Sequence, residues 1–216
     1  MLILHTSGST GPAKRVAHKW EFIRDCAMKT IKEQGLSSHD RVIDVFPHNT
    51  IAHWTLSALP AFLSGAEYHS MKFEAASFIT KFKDIKPTIL NLVPRHLELL
   101  QEIDEFKELD MSCVRYMTLG AAPVTQTMIN EFTKRGVMCV AVTYGMTEAP
   151  PPKMIGYNQP NFTIIDDDIT FDEHGEAIIN GKATGDIFHA HESGDGSLVF
   201  SHRLLAVKGN TWKDVR

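Results

Sequence analysis

The chain has 216 residues, 43% hydrophobic and 22% charged, a composition with enough apolar material for one or two domains with cores of their own. Its 22 basic and 26 acidic residues leave a formal net charge of -4, and the scattered basic residues give no sign of nucleic-acid or membrane binding. Cys26, Cys113 and Cys139 form no Cys-x-x-Cys pair, which argues for a reducing compartment and against a disulfide frame. With no leader pattern and no membrane-length apolar run, the sequence predicts a cytoplasmic protein.

In chain order, Leu2 to His5 predicts a strand, followed by the run Thr-Ser-Gly-Ser-Thr-Gly-Pro-Ala-Lys at residues 6–14 and a helix from His18 to Gln34. Trp20, Ile23, Ala27 and Ile31 share one helical face, and Gly35 ends the element. Val42 to Phe46 reads as a strand, Ala52 to Leu63 as an apolar helix closed by Gly65, and Phe73 to Phe82 as another helix. Thr88 to Leu92 predicts a strand and His96 to Ile103 a helix. Strands at Val114 to Thr118 and Val137 to Val142 flank a helix from Thr125 to Lys134. Repeated strand, helix, strand units predict an α/β fold with a mostly parallel sheet flanked by helices.

The run Ala-Pro-Pro-Pro at 149–152 breaks regular structure, and shorter β-like segments follow: Phe162 to Ile165, Ala177 to Ile179, Asp186 to His189 and Ser197 to Phe200. The expected organisation is an α/β core over residues 1–150, with a small antiparallel β portion over 151–216 packed on it.

The run at residues 6–14 is a candidate phosphate cradle because it lies between a strand and a helical pattern. It does not meet GxxxxGK[ST], because Gly8 is followed by Gly11 rather than by a Gly-Lys at the required spacing and Lys14 is followed by Arg15, and GxGxxG is also absent. Its glycines allow close backbone approach, its hydroxyls can donate and Lys14 carries a point charge suited to polyphosphate. A solvated linker has the same composition.

The run resembles the phosphate-binding signature of the adenylate-forming superfamily, which includes acyl-CoA synthetases and aryl-acid ligases. Tyr144-Gly145-Met146-Thr147-Glu148 matches that family's second signature, and Leu119-Gly120-Ala121-Ala122-Pro123 resembles its adenine-binding segment. Thr184-Gly185-Asp186, Asp195-Gly196 with Arg203, Phe46-Pro47-His48 and Val93-Pro94 resemble further family words, so the likeness covers essentially the whole chain.

The resemblance implies ATP-dependent adenylation of an acyl or aryl acid, giving acyl-AMP and pyrophosphate, with CoA or a carrier protein as acceptor. It assigns the β and γ phosphates to Thr6, Ser7, Gly8, Ser9, Thr10, Gly11 and Lys14. Adenine falls to Gly120, Ala121, Ala122, Pro123, Tyr144 and Gly145, ribose to Asp186 and Arg203, the α-phosphate to Thr147, and magnesium to Glu148. His48 resembles a histidine near the substrate carboxylate, and Pro47, where amino-acid-activating relatives carry Asp, disfavours a free amino acid. Singly, Tyr144 could be a packed aromatic, Glu148 a solvated carboxylate, Arg203 a surface arginine and His48 a histidine satisfied by backbone.

Against the family pattern, the N-terminal region and the mobile C-terminal domain are expected to be absent, which predicts self-association or a partner chain over exposed apolar surface. Two alternatives stand beside the enzyme: a nucleotide-binding module without turnover, and a metal-binding β module at His189 and His191, since His-x-His on a strand projects both rings to one side.

Overall fold

The computed structural model describes residues 1–6, 13–207 and 211–215. Strands β1 (Leu2–His5) and β2 (Arg15–His18) pair antiparallel, with Leu2 opposite His18 and His5 opposite Arg15. Strand alternation buries Leu2 and Leu4 and exposes Ile3 and His5. The Thr6 amide donates to the Lys14 carbonyl at 2.9 Å and the Lys14 amide to the Thr6 hydroxyl at 2.9 Å, which carries the pairing one residue further. Here the structure corrects the sequence-based expectation. A second strand intervenes before helix α1 (Trp20–Gln34), so residues 7–12 link two paired strands and do not lead directly into a helix. Four residues are too few to display a period, and the segment blends with the helix after it.

Helix α1 buries Ile23, Cys26, Ala27, Thr30 and Gln34, a helical spacing, and ends at Gly35, whose φ of 57° suits a residue without a side chain. Trp20, placed on the buried face by the sequence pattern, is 42% exposed. Strands β3 (Arg41–Asp44), β4 (Glu67–Ser70), β5 (Ile89–Leu92), β6 (Tyr116–Gly120) and β7 (Val140–Tyr144) are parallel. With β8 (Met154–Tyr157) and β9 (Thr163–Ile164) added antiparallel, they form one sheet of order β4-β3-β5-β6-β7-β8-β9.

Neighbouring residues along each central strand enter different cores, which is why these strands read as continuous apolar runs. Val42, Ile89, Tyr116 and Ala141 pack with Ala61 of helix α2 (Leu59–Ser64) and with Ile31 of α1. Ile43, Leu90, Met117 and Val140 pack with Phe78 and Phe82 of α3 (Ala75–Ile85), Leu97 and Leu100 of α4 (Pro94–Gln101), Phe106 of α5 (Asp104–Lys107) and Phe132 of α6 (Gln126–Thr133). Strands β10 (Ile169–Phe171), β11 (Glu176–Ile179), β12 (Lys182–Ala190), β13 (Leu198–Val207) and β14 (Thr211–Val215) form a second sheet, antiparallel and in sequential order. The first sheet thus continues past Pro150, and the changeover falls between Ile164 and Ile169. Phe162 joins the sheets through two backbone hydrogen bonds with Leu198, at 2.7 and 2.8 Å.

The expected single helix after β3 is a π-helical segment, His53–Ala58, running into α2. Asn91, fully buried on β5, donates to the Leu56 carbonyl at 2.9 Å and to the Ser57 hydroxyl at 3.1 Å, and accepts from Thr118 at 2.6 Å. A buried amide thereby serves a backbone carbonyl in a turn of unusual hydrogen bonding. No helix among the described residues is long and apolar enough to cross a membrane.

At the other end of the sheet, Arg115 grips both oxygens of Asp40 at 2.8 Å and donates to the carbonyls of Gln34 at 2.7 Å and Gly35 at 2.9 Å. Burial favours protonation of Asp40, but hydrogen bonds from Arg115, Thr88 and the Ser37 amide outweigh it and hold the carboxyl down at about 2. Because this lies below the ordinary carboxylate value, the stabilisation is present above about pH 4 and lost as pH falls towards 2. We expect Asp40→Asn to lower stability in urea at pH 7 by on the order of 1–3 kcal/mol, with the deficit shrinking between pH 4 and 2.

Candidate functional site

In a parallel sheet all carboxyl ends lie on one edge, where α/β folds place their ligands. The loops after β3, β5, β6 and β7 bring Phe46 to His48, Val93 to His96, Gly120 to Pro123 and Tyr144 to Glu148 to that edge. Lys14 is exposed on the hairpin, paired with Thr6. Ser7, Gly8, Ser9, Thr10 and Gly11 lie outside the described residues. Although 129 residues apart, hairpin and β7 loop are joined by the His18 Nε2–H, which donates to the Thr147 carbonyl at 2.7 Å.

Close approach dictates the two glycines here. A Cβ on Gly120 would stand 2.5 Å from the Thr143 carbonyl oxygen, and one on Gly145 2.6 Å from the Pro151 backbone. Ala121, at φ 64°, is in the left-handed region that side chains avoid, and Ala121, Ala122 and Pro123 are exposed. Met146 and Ala149 exchange backbone hydrogen bonds, making the tight turn from which Glu148 projects exposed to solvent.

Tyr144, Asp186 and Arg203 meet across the two sheets. Asp186 is 1% exposed; Arg203 bonds it twice, Nε to Oδ1 at 2.5 Å and Nη2 to Oδ2 at 2.6 Å, and the Tyr144 hydroxyl donates to Oδ2 at 2.8 Å. On β12, Thr184 donates to the Ala177 carbonyl at 2.8 Å and accepts from the Asp186 amide at 3.1 Å. Burial and then the Asp186 charge push the Tyr144 hydroxyl well above its ordinary value, so it stays a donor. The Asp186 hydrogen bond, aided by the Asp186 charge, pushes Arg203 further up against the opposing effect of burial. The Tyr144 ring is half-buried, edge-on to Phe188 at 5.1 Å and to Phe162 at 6.4 Å.

His48 is exposed, 3.4 Å from the Ser70 hydroxyl, and its ring lies 4.6 Å from that of His53. Beneath it is a cluster that sequence reading missed. Asp44, fully buried, accepts from His53 Nδ1 at 2.6 Å, the Tyr68 hydroxyl at 2.6 Å and the Phe46 amide at 2.9 Å. A lone aspartate in the middle of the apolar run Val42 to Phe46 was the available signal. Nearby, Phe73 stacks on His96 at 4.1 Å, and burial pushes the His96 imidazole down to about 4, leaving it neutral at pH 7.

Burial pushes all three thiols up, Cys26 to about 11, so none is poised as a thiolate. No group of three or more metal-ligating side chains occurs among the described residues; His189 is exposed and His191 bonds the Ser193 hydroxyl at 2.8 Å, which corrects the expectation of a metal module there.

A profile of the family described as AMP-binding enzyme matches residues 1–180. The chain is 30% identical over 153 residues to an indoleacetate–CoA ligase of Aromatoleum aromaticum, covering 70% of this chain and 30% of that protein. It is 27% identical over 150 residues to a long-chain-fatty-acid–CoA ligase of Mycobacterium tuberculosis, covering 69% and 29%. The chain thus spans about 30% of the length of these curated relatives. In fold it resembles the O-succinylbenzoate coenzyme A synthetase of Bacillus subtilis solved with ATP and magnesium, with TM-score 0.77 at 18% identity over 97% of this chain and 52% of that one. The N-terminal domain of FACL13 from Mycobacterium tuberculosis gives 0.68 at 22% identity, over 94% and 60%.

Asp44→Ala leaves the His53 ring and the Tyr68 hydroxyl without their acceptor and is expected to cost about 3 kcal/mol in urea unfolding. Gly145→Ala must displace the Pro151 backbone and is expected to lower stability by about 1–3 kcal/mol in the same measurement.

Proposed function

The chain belongs to the AMP-binding enzyme family, and from that membership we propose that it binds ATP at the carboxyl edge of its parallel sheet and adenylates a carboxylic acid. What supports the reading is the meeting of Tyr144, Asp186 and Arg203, residues of separate family words joined by three hydrogen bonds across two sheets. On this reading adenine lies against Tyr144 and the Gly120–Pro123 backbone, and ribose hydroxyls reach the Asp186 carboxylate and Arg203. Thr147 meets the α-phosphate, and Lys14 neutralises the β and γ phosphates.

Magnesium fits the donor set, because the exposed Glu148 carboxylate is a hard oxygen of the kind that shares the ion with phosphates. When bound it supplies charge neutralisation. The protein's own work is positioning: a substrate carboxylate oxygen forms a bond to the α-phosphorus while the bond to the bridging oxygen breaks, releasing pyrophosphate with that electron pair. His48, set between solvent and the buried His53–Asp44 pair, stands beside the incoming carboxylate.

Indoleacetate and long-chain fatty acids appear in the names of the relatives, and an acyl or aryl acid is the class proposed here, with CoA or a carrier protein as acceptor. Cytoplasmic location and association with a partner or second copy belong to the same proposal; Phe62 at 82% and Met138 at 72% exposure offer apolar contact. Incubation with labelled pyrophosphate, magnesium and a panel of acids is expected to give acid-dependent label in ATP. Lys14→Ala is expected to weaken ATP binding roughly tenfold. ATP binding with no exchange for any acid would reduce the function to nucleotide binding.

A further inference from the structure

The proposed ATP site uses Lys14 on the hairpin and Thr147 and Glu148 on the β7 loop but gives no role to His18, which joins them. His18 closes β2 opposite Leu2, is 9% exposed, and packs against Phe22 with ring centroids 5.5 Å apart. Its Nε2–H donates to the Thr147 carbonyl at 2.7 Å. A carbonyl oxygen can only accept, so Nε2 carries the proton in this contact. Thr6 opposite Lys14 continues the hairpin register, and the two-residue period of a strand sets Lys14 on the face of Val16 and His18, about 13 Å along the chain.

We infer that His18 is a positioning residue of this site, fixing the Lys14-bearing hairpin against the turn that carries Thr147 and Glu148. The inference rests on the nucleotide reading above. A ligand that spans hairpin and turn profits from their being held in place beforehand, whereas one that meets the turn and the Tyr144 and Asp186 side without reaching the hairpin does so less. ATP is of the first kind, because its β and γ phosphates reach the hairpin, and AMP is of the second.

Calorimetric titration of the chain and of His18→Phe, His18→Met and His18→Gln with magnesium ATP, and separately with AMP, tests this. His18→Phe and His18→Met, which lack the donor, are expected to bind ATP about three- to tenfold more weakly while AMP changes by less than about twofold. Glutamine, whose side-chain amide reaches to about the position of Nε2, is expected to restore ATP affinity. A purely structural role would instead reduce both ligands together or reduce the fraction of binding-competent protein. Equal affinities, or equal losses for ATP and AMP, in whichever of H18F and H18M keeps the wild-type circular dichroism would overturn the inference. Failure of the unsubstituted chain to bind magnesium ATP would overturn the nucleotide reading and this inference with it.

Discussion

A carboxylate sealed from water has to be met by donors, and at the carboxyl end of β3 that requirement organises much of the candidate site's edge. Asp44 is fully buried, and its donors come from three places: the Phe46 amide in its own loop, the His53 ring in the π-helical segment and the Tyr68 hydroxyl on β4. Satisfying one side chain therefore fixes the turn of the Phe46-Pro47-His48 loop, the seat of the helical segment and the approach of the edge strand. Asn91 does the complementary work from the next strand, capping the Leu56 carbonyl of the same segment. Between them the segment is held at both ends by buried polar contacts, which are costly to break and so define one arrangement.

The candidate site is assembled from three sheets, each contributing a different part. The hairpin presents Lys14, the parallel sheet presents Gly120 to Pro123 and Tyr144 to Glu148, and the antiparallel sheet presents Asp186 and Arg203. Long-range hydrogen bonds bind them: His18 to Thr147, Tyr144 to Asp186, and Phe162 with Leu198. Apolar packing reinforces the second junction, where Phe162 and Phe188 surround the Tyr144 ring. Burying apolar area supplies strength without direction, whereas the hydrogen bonds set the relative angles on which positioning depends.

How much of this was legible in sequence follows from the range of the interactions concerned. Strands β3, β5, β6 and β7 showed as apolar runs because both faces of a central parallel strand are covered, and the helices between them showed by period. Strand β2 was hidden because Arg15 to His18 is too short for a pattern, and β4 because Glu67 to Ser70 carries three polar residues beside its tyrosine. The family words located Tyr144, Asp186 and Arg203 but not their contacts, which are made by residues 42 and 17 positions apart. The Asp44, His53 and Tyr68 cluster left almost no trace, because its members lie on three elements and each alone is an ordinary polar residue.

The Asp186 site implies how nucleotide binding would proceed on the proposed reading. Both oxygens are already engaged, by Arg203 twice and by Tyr144 once, and a carboxylate offers about four lone-pair positions. A ribose with two hydroxyls therefore has to replace at least one existing donor. Because burial of an unpaired carboxylate is costly, the replacement must be concerted, with hydroxyl entering as guanidinium or phenol withdraws. Arg203 is the donor free to withdraw, since its side chain is 41% exposed and the Tyr144 ring is held between phenylalanines. Ribose affinity is then a difference between two satisfied states, smaller than a count of new hydrogen bonds suggests. That places a greater share of ATP affinity on the phosphate end, where the hairpin and the Thr147 turn are already joined.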